Sequence, residues 1–316
     1  MTNYQLQIKS FVFGPFETNC YVVTINDQSP GASSRRNGKS GLRLEGLSPI
    51  PNPQSPMVLL VDPACSNEYE QQQLLTYIEN QKSKIKNLQL SIVATHGHLD
   101  HLWGAAWACA KWNTPVLMHE ADIPMAKAMQ QQYDLFGIRA KAQPFPIEDI
   151  KSKIKNHKFE KIVPFKGKEI TNDKLPGASS RQTGGAASAE KGYYQSPITN
   201  HQSPIPPFRG EQGGRILSTP GHTPGSICLY FPEDKVLFSG DTLFKMGYGR
   251  TDLPGGNFSQ LIDSLVRLFA LPSDVQVFPG HGEPTTIGAE ARWIVRERGM
   301  EEVNANRNIE GRSYSR

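Results

Sequence analysis

Apolar residues along this chain fall into short runs with a period of two, interrupted by stretches of helical spacing and by two polar segments with no period at all. Residues 5–13 and 18–25 alternate as two strands, and Gly14-Pro15-Phe16-Glu17 between them predicts a hairpin. Met57-Val58-Leu59-Leu60-Val61 is a continuous apolar run that stops at Asp62-Pro63 and reads as a buried strand. Residues 68–82 follow with helical character, then the strand Leu90-Ser91-Ile92-Val93-Ala94 and a small-residue helix over 102–109. A strand at 114–119 and a helix at 120–132 come next, and Pro144 and Pro146 break up the mixed stretch 133–158. After residue 213 the pattern returns with strands at 215–219, 226–231 and 235–239 and a helix over 257–271, with Asn257 as its N-cap. A strand at 275–278 and a helix of about ten residues after Thr286 complete it. Strands in two blocks, each accompanied by helices, predict a β-sandwich of two sheets with helices on both outer faces, an αββα arrangement.

The two polar segments, 28–56 and 176–213, are rich in Ser, Pro, Gly and Asn and read as low-complexity insertions in surface loops. They share words: Gly-Ala-Ser-Ser-Arg stands at 31–35 and at 177–181. The expected organisation is one domain over 1–299 carrying both insertions, followed by a polar tail at 300–316. Charge adds little to this picture. Of the net +4, the first insertion holds +3 (Arg35, Arg36, Lys39 and Arg43 against Glu45) and the second +1 (Arg181, Lys191 and Arg209 against Glu190 and Glu211). The core is therefore neutral, and no nucleic-acid partner is expected. No segment approaches the roughly 20 apolar residues of a membrane span, and the first residues do not form a signal peptide. Cys20, Cys65, Cys109 and Cys228 lie in or beside apolar runs without a CxxC pair, which fits buried thiols in a reduced, cytoplasmic compartment.

The chemistry concentrates in Thr95-His96-Gly97-His98-Leu99-Asp100-His101, on the loop between a predicted strand and helix. Imidazoles and a carboxylate packed this densely are metal ligands. Three later turns each add one donor at a strand end, directly after a glycine: His222 in Pro220-Gly221-His222, Asp241 in Ser239-Gly240-Asp241 and His281 in Pro279-Gly280-His281. One four-coordinate ion needs only three or four protein ligands, so seven donors fit two ions with one carboxylate shared. No Gly-x-Ser-x-Gly elbow is present to supply a serine nucleophile. His119 ends a strand without a motif around it, His157 and His201 lie in polar stretches, and Trp103, Trp107 and Trp112 read as helix packing.

This set of donors, HxHxDH followed by His, Asp and His, resembles the metallo-β-lactamase fold superfamily. The stretches Gly240-Asp241-Thr242-Leu243-Phe244, Gly249-Arg250-Thr251-Asp252-Leu253-Pro254-Gly255-Gly256 and Pro279-Gly280-His281-Gly282-Glu283-Pro284-Thr285-Thr286 resemble more specifically its short glyoxalase II-like hydrolases. The resemblance implies one ion on His96, His98 and His222, a second on Asp100, His101 and His281, and Asp241 bridging both. Zinc is the first expectation, with iron or manganese also suited to such donors. Asp62 would steady the metal loop or simply cap the Asp-Pro turn. Two cations about 3.5–4 Å apart can hold a hydroxide between them that attacks a carbonyl carbon, with Asp100 and Asp241 as the carboxylates involved. A thioester suits such a site because its thiolate leaves without protonation. The expected substrate is a small acyl thioester such as S-lactoylglutathione. Lys245, Tyr248 and Arg250 follow Asp241 and could meet an anionic substrate, or Arg250 could pair with Asp252 to brace the loop.

Two departures narrow the resemblance. The commonest true metallo-β-lactamases carry Cys where this chain has Asp241. Larger glyoxalase II enzymes carry a C-terminal helical domain that holds the glutathione peptide, whereas here 35 residues follow His281. The main alternative is a persulfide dioxygenase, which resembles this chain in HxHxDH but holds a single iron. Nucleases and lactonases of the same fold rank behind it. The oligomeric state is left open.

Overall fold

The structure, a computed structural model, describes residues 4–27, 56–150 and 214–298. The predicted insertions at 28–56 (apart from Pro56) and 176–213, the tail at 300–316, and His157 and His201 lie outside the described residues. The first sheet holds six strands in chain order: β1 (Tyr4–Phe13), β2 (Thr18–Asp27), β3 (Met57–Val61), β4 (Gln89–Val93), β5 (Val116–Met118) and β6 (Ile147–Asp149). The first three pair antiparallel, and β3 to β6 pair parallel. Parallel neighbours need crossovers. These are α1 (Glu68–Lys84), then α2 (Leu99–Leu102) with α3 (Ala105–Trp112), then α4 (Ile123–Lys127) with α5 (Met129–Leu135). The second sheet has the order β13-β12-β9-β8-β7. Its strands are β7 (Arg215–Ser218), β8 (Ile227–Phe231), β9 (Val236–Gly240), β12 (Gln276–Pro279) and β13 (Thr285–Thr286). A two-stranded ribbon, β10 (Leu243–Phe244) with β11 (Gly247–Tyr248), and helix α6 (Phe258–Phe269) lie between β9 and β12, and α7 (Ile287–Arg298) follows β13.

Strand alternation sorts the apolar residues into three layers of core. On β2 and β3, Cys20, Val22, Val58 and Leu60 pack with Leu74, Ile78, Leu102 and Ala108 of the first helices. Their neighbours Tyr21, Val23, Leu59 and Val61 face inward and meet Ile227, Leu229, Phe231 and Phe238 of the second sheet. On that sheet's far side, Cys228, Tyr230 and Leu237 pack on Leu261, Leu265, Leu268 and Phe269 of α6. Two sheets buried on both faces and covered by helices outside make the predicted αββα sandwich. Asn257 caps α6 as expected, its Oδ1 accepting from the Gln260 N–H at 3.0 Å.

Several local expectations change. The helix predicted at 102–109 is two helices, because the chain turns at Trp103-Gly104, where a Cβ on Gly104 would fall 2.2 Å from Cys65 Sγ. The helix at 120–132 is a 3₁₀ turn (Glu120–Asp122) followed by α4 and α5, with Pro124 in the first turn of α4. The mixed stretch contains β6, and β10, β11 and β13 are strands too short to show a period. All four cysteines are buried and free. Among the described residues, no helix is long and apolar enough to cross a membrane.

Candidate metal centre

Every predicted donor loop leaves the C-terminal end of a strand: Asp62 follows β3, residues 95–101 follow β4, His222 follows β7, Asp241 follows β9 and His281 follows β12. The sandwich therefore gathers donors from both sheets at one edge. Asp62 sits at φ 51°, a left-handed conformation few non-glycine residues adopt. Its buried carboxylate accepts from the Thr95 N–H at 2.7 Å, the Thr95 hydroxyl at 2.8 Å and His101 Nδ1 at 2.9 Å. It braces the metal loop and does not merely cap a turn. The glycines before the later donors serve differently. Gly221 has φ 137°, and a Cβ there would lie 2.2 Å from the Leu261 nitrogen. A Cβ on Gly280 would lie 2.1 Å from Asp241 Oδ1, so His281 and Asp241 come together only around a bare Cα.

The seven donors fall into overlapping groups. The ligand atoms of His96, His98 and His222 lie within 4.8 Å of one another, and so do those of Asp100, His101 and His281. Asp241 lies between them: its Oδ2 is 3.5 Å from His222 Nε2 and 3.6 Å from His281 Nε2, and its Oδ1 is 3.2 Å from His101 Nε2. Four imidazoles are oriented by their outer nitrogen. His101 Nδ1–H donates to Asp62, His222 Nδ1–H to the Arg250 carbonyl at 2.7 Å, and His281 Nδ1–H to the Phe16 carbonyl at 3.0 Å. The Thr95 hydroxyl gives its proton to Asp62, so it accepts from His96 Nδ1–H at 3.0 Å. Each Nε2 is thereby turned toward the centre as the ligand atom.

The residues fit metal ions. His96 Nε2, His222 Nε2 and Asp241 Oδ1 are buried yet lack a hydrogen-bond partner, an arrangement that costs free energy unless a cation satisfies it. Burial keeps two members of the first group, His96 and His98, neutral. It pushes His96 well below the ordinary histidine range, with the positive charge of His101 adding to it. Burial and His222 bring His98 down to about 4. The second group behaves oppositely. Burial lowers His101 and His281, but Asp100 and Asp241 outweigh it and raise both rings. Burial likewise raises Asp100 and Asp241, and the charges of His101 and His281 carry both carboxyls below their ordinary value.

Sequence reasoning missed the groups that hold these loops. Asp122, placed by pattern in a helix, is fully buried. Its Oδ2 accepts from the Gly97 N–H at 2.9 Å and the Thr223 hydroxyl at 2.6 Å, and its Oδ1 from the Gly225 N–H at 2.6 Å. One carboxylate thus joins the loop of His96 and His98 to the loop of His222. Gln132 clamps the other side of His98, donating to the Gly97 carbonyl at 3.0 Å and accepting from the Leu99 N–H at 2.9 Å. The Thr18 hydroxyl donates to Asp100 Oδ2 at 2.9 Å. Asn19 ties β2 to the His281 turn through the Pro279 and Gly282 carbonyls. The only local hint of Asp122 is that it stands in a turn just after a strand end, as the donors do. Of the predicted substrate residues, Lys245 pairs with Glu283, and Arg250 makes a two-pronged pair with Asp252 at 2.7 and 2.6 Å. Tyr248 lies on β11, its ring 6.2 Å from Phe258.

Comparison with known proteins agrees with this geometry. A family model described as the metallo-beta-lactamase superfamily matches residues 58–203 and 208–281. The probable metallo-hydrolase YqgX of Bacillus subtilis (strain 168) is 30% identical over 215 residues, 67% of this chain and 77% of that protein. The hydroxyacylglutathione hydrolase GloC of Haemophilus influenzae is 50% identical over 78 residues, 24% of this chain and 37% of its own length. An uncharacterized protein of Aquifex aeolicus (strain VF5) is 50% identical over 82 residues, so the chain matches 39% of that relative's length. Among solved structures, TTHA1623 in a di-iron-bound form superposes with a TM-score of 0.53 at 24% identity, over 90% of this chain and 97% of the other. BLEG-1 B3 metallo-beta-lactamase superposes at 0.54 and 22%, with the same coverage. Together with the histidine and aspartate groups on the strand ends, these matches show that the chain belongs to the metallo-beta-lactamase superfamily.

Proposed function

We propose that this chain is a binuclear metal-dependent hydrolase of small acyl thioesters, of the kind represented by S-lactoylglutathione. His96, His98 and His222 would hold one divalent ion, Asp100, His101 and His281 the other, and Asp241 both. The observation that carries the reading is the position of Asp241, whose Oδ2 lies about equally far, at 3.5 and 3.6 Å, from a histidine of each group. The similarity to GloC, a hydroxyacylglutathione hydrolase, supports the thioester class. Zinc is the first choice, and iron or manganese would satisfy the same donors.

When bound, such ions supply a nucleophilic water at neutral pH and polarise a carbonyl oxygen. The chain's own residues do the positioning. The Nδ1 contacts of His96, His101, His222 and His281 fix the ring orientations, so the ligand nitrogens already face the centre. Before an ion enters, burial raises Asp100 and Asp241 but the charge of His101 outweighs it, so both carboxylates are offered in the ionised form. The Thr18 hydroxyl holds Asp100 in line with His281 Nε2, 3.1 Å from its Oδ2. A thiolate leaving group asks for no side-chain acid.

The test is metal analysis beside a thiol-release assay on the loaded protein, with S-lactoylglutathione and other acyl thiols. Two ions per chain and released thiol are expected. A single iron per chain with oxygen uptake on glutathione persulfide, and no thiol release, would establish the dioxygenase in its place.

A further inference from the structure

We infer that the centre carries an apolar subsite beside His281, formed by Phe16, Trp103 and Phe136 together with Phe244. It takes an uncharged aromatic or aliphatic group of the ligand. That the ligand is a thioester rests on the function proposed above; the apolar wall rests on its own contacts.

Phe16 lies in the β1–β2 turn, and its carbonyl holds His281 Nδ1 at 3.0 Å, which puts this residue at the donor itself. The turn is fixed from below by the Gly14 N–H, which donates to Glu70 at 3.0 Å. The Phe16 ring lies 6.2 Å from Trp103 and 5.6 Å, edge-on, from Phe136. Trp103 is two residues beyond His101. Phe136 is one helical turn beyond Gln132, whose amide clamps Gly97 and Leu99. Three separate segments, each bonded to a donor loop or continuous with it, thus bring aromatic rings together. The Phe244 ring, for its part, is 6.1 Å from that of His281.

The ring contacts separate this group from ordinary surface scatter. Phe16 is 37% and Phe136 43% exposed, and Leu135 beside them 66%. Large exposed apolar groups converging beside a polar site mark a binding surface. Charge points the same way. Lys245 and Arg250, the cations following Asp241, are each matched by a carboxylate, Glu283 and Asp252, so these two pairs add no net positive field. A peptide thiol bearing two carboxylates gains nothing from them, whereas an apolar group gains the ring faces. That group could sit on the acyl or on the thiol side of the ligand.

The test uses the full-length, metal-loaded protein and uncleavable ketone analogues in which a methylene replaces the thioester sulfur. Four are compared by titration calorimetry: phenyl on the acyl side, phenyl on the thiol side, methyl on both, and glutathionyl on the thiol side. One phenyl analogue is expected to bind about tenfold tighter than the dimethyl compound, the effect of burying a few ring carbons, and its identity tells acyl from thiol. Phe136→Ala and Phe16→Ala should each shrink that ratio several-fold, with Phe136→Leu restoring most of it. Because each ratio is internal to one protein, a general loss of stability does not mimic the result. Equal binding of all four, tightest binding of the glutathionyl compound, or a ratio unmoved in both alanine variants overturns the subsite. Absence of thiol release from every thioester, with the binding preference intact, overturns the hydrolase and leaves the subsite standing.

Discussion

Replacing Asp122 by alanine should loosen one half of the metal centre without touching a ligand. The carboxylate receives two backbone N–H groups, from Gly97 at 2.9 Å and Gly225 at 2.6 Å, and the Thr223 hydroxyl at 2.6 Å. The hydroxyl has a second partner in Ser226 Oγ at 2.7 Å and can turn to it. The two N–H groups are enclosed and have no such recourse. Each stranded buried donor costs about 1–3 kcal/mol, so the variant loses about 2–6 kcal/mol. At roughly 2–4 °C per kcal/mol for a domain of this size, the melting midpoint falls by on the order of 10 °C. Burial raises the Asp122 carboxyl, and its three hydrogen bonds offset this only in part. Asp122→Asn gives up a charge that is poorly solvated and keeps one acceptor oxygen, so it should lose about half as much. Affinity at His96, His98 and His222 should drop about 10–100-fold, the usual effect of removing a group that orients ligands. Asp100, His101 and His281, braced by Asp62 and Thr18, should keep theirs. Scanning calorimetry of the metal-free and loaded protein, with competition against a chromogenic chelator, measures both quantities. An alanine variant that melts within about 1 kcal/mol of wild type and binds both ions normally refutes the reasoning.

Further outcomes follow from the same geometry. On acidification, the ion on Asp100, His101 and His281 should leave first. The raised pKa values of His101 and His281 mean that protons compete there already above the ordinary histidine value, whereas His98, at about 4, stays neutral until far lower pH. Metal content after dialysis at stepped pH shows the order, and prior loss from the His96 group contradicts it. By the same sign, loading the second group should release protons near neutral pH, visible as buffer-dependent calorimetric heats. Asp62→Ala removes the partner of His101 Nδ1 and of both Thr95 donors, and should weaken the second ion about 10–100-fold. Chelator competition reads this, and an unchanged constant counts against it. Gly280→Ala forces a Cβ to within 2.1 Å of Asp241 Oδ1 and 2.7 Å of His101 Cε1. Bound metal should fall sharply while far-UV dichroism stays native.

The sandwich was legible because its strands bury both faces, and the alternation of Cys20, Tyr21, Val22 and Val23 between two cores writes that burial into consecutive residues. The donor loops were legible because metal chemistry needs rare residue types at close spacing. What supports them was not. Asp122 meets Thr223 across 101 positions, and Asn19 meets Pro279 across 260. No local period records such a contact, and a single buried Asp or Asn looks in sequence like any polar surface residue. The short strands β10, β11 and β13 span two residues each, less than one alternation. The pairing of Arg250 with Asp252, two residues on, was legible in the sequence, but that of Lys245 was not, since its partner Glu283 is brought to it by the fold.

The strand ends that carry the donors belong to two sheets, and the sheets are strung on successive halves of the chain, β1 to β6 before residue 150 and β7 to β13 after residue 214. Neither half owns a complete donor group: His96 and His98 need His222, and Asp100 and His101 need His281. An ion seated in either group is therefore a rivet between halves that are otherwise held by an apolar seam and by bonds such as those of Asp122 and Asn19. Its occupancy reports whether they have docked. At a free-ion level one hundred times its dissociation constant, one such rivet contributes about 2.7 kcal/mol to their union. Metal supply would then set how firmly this sandwich is closed as well as whether its centre can react.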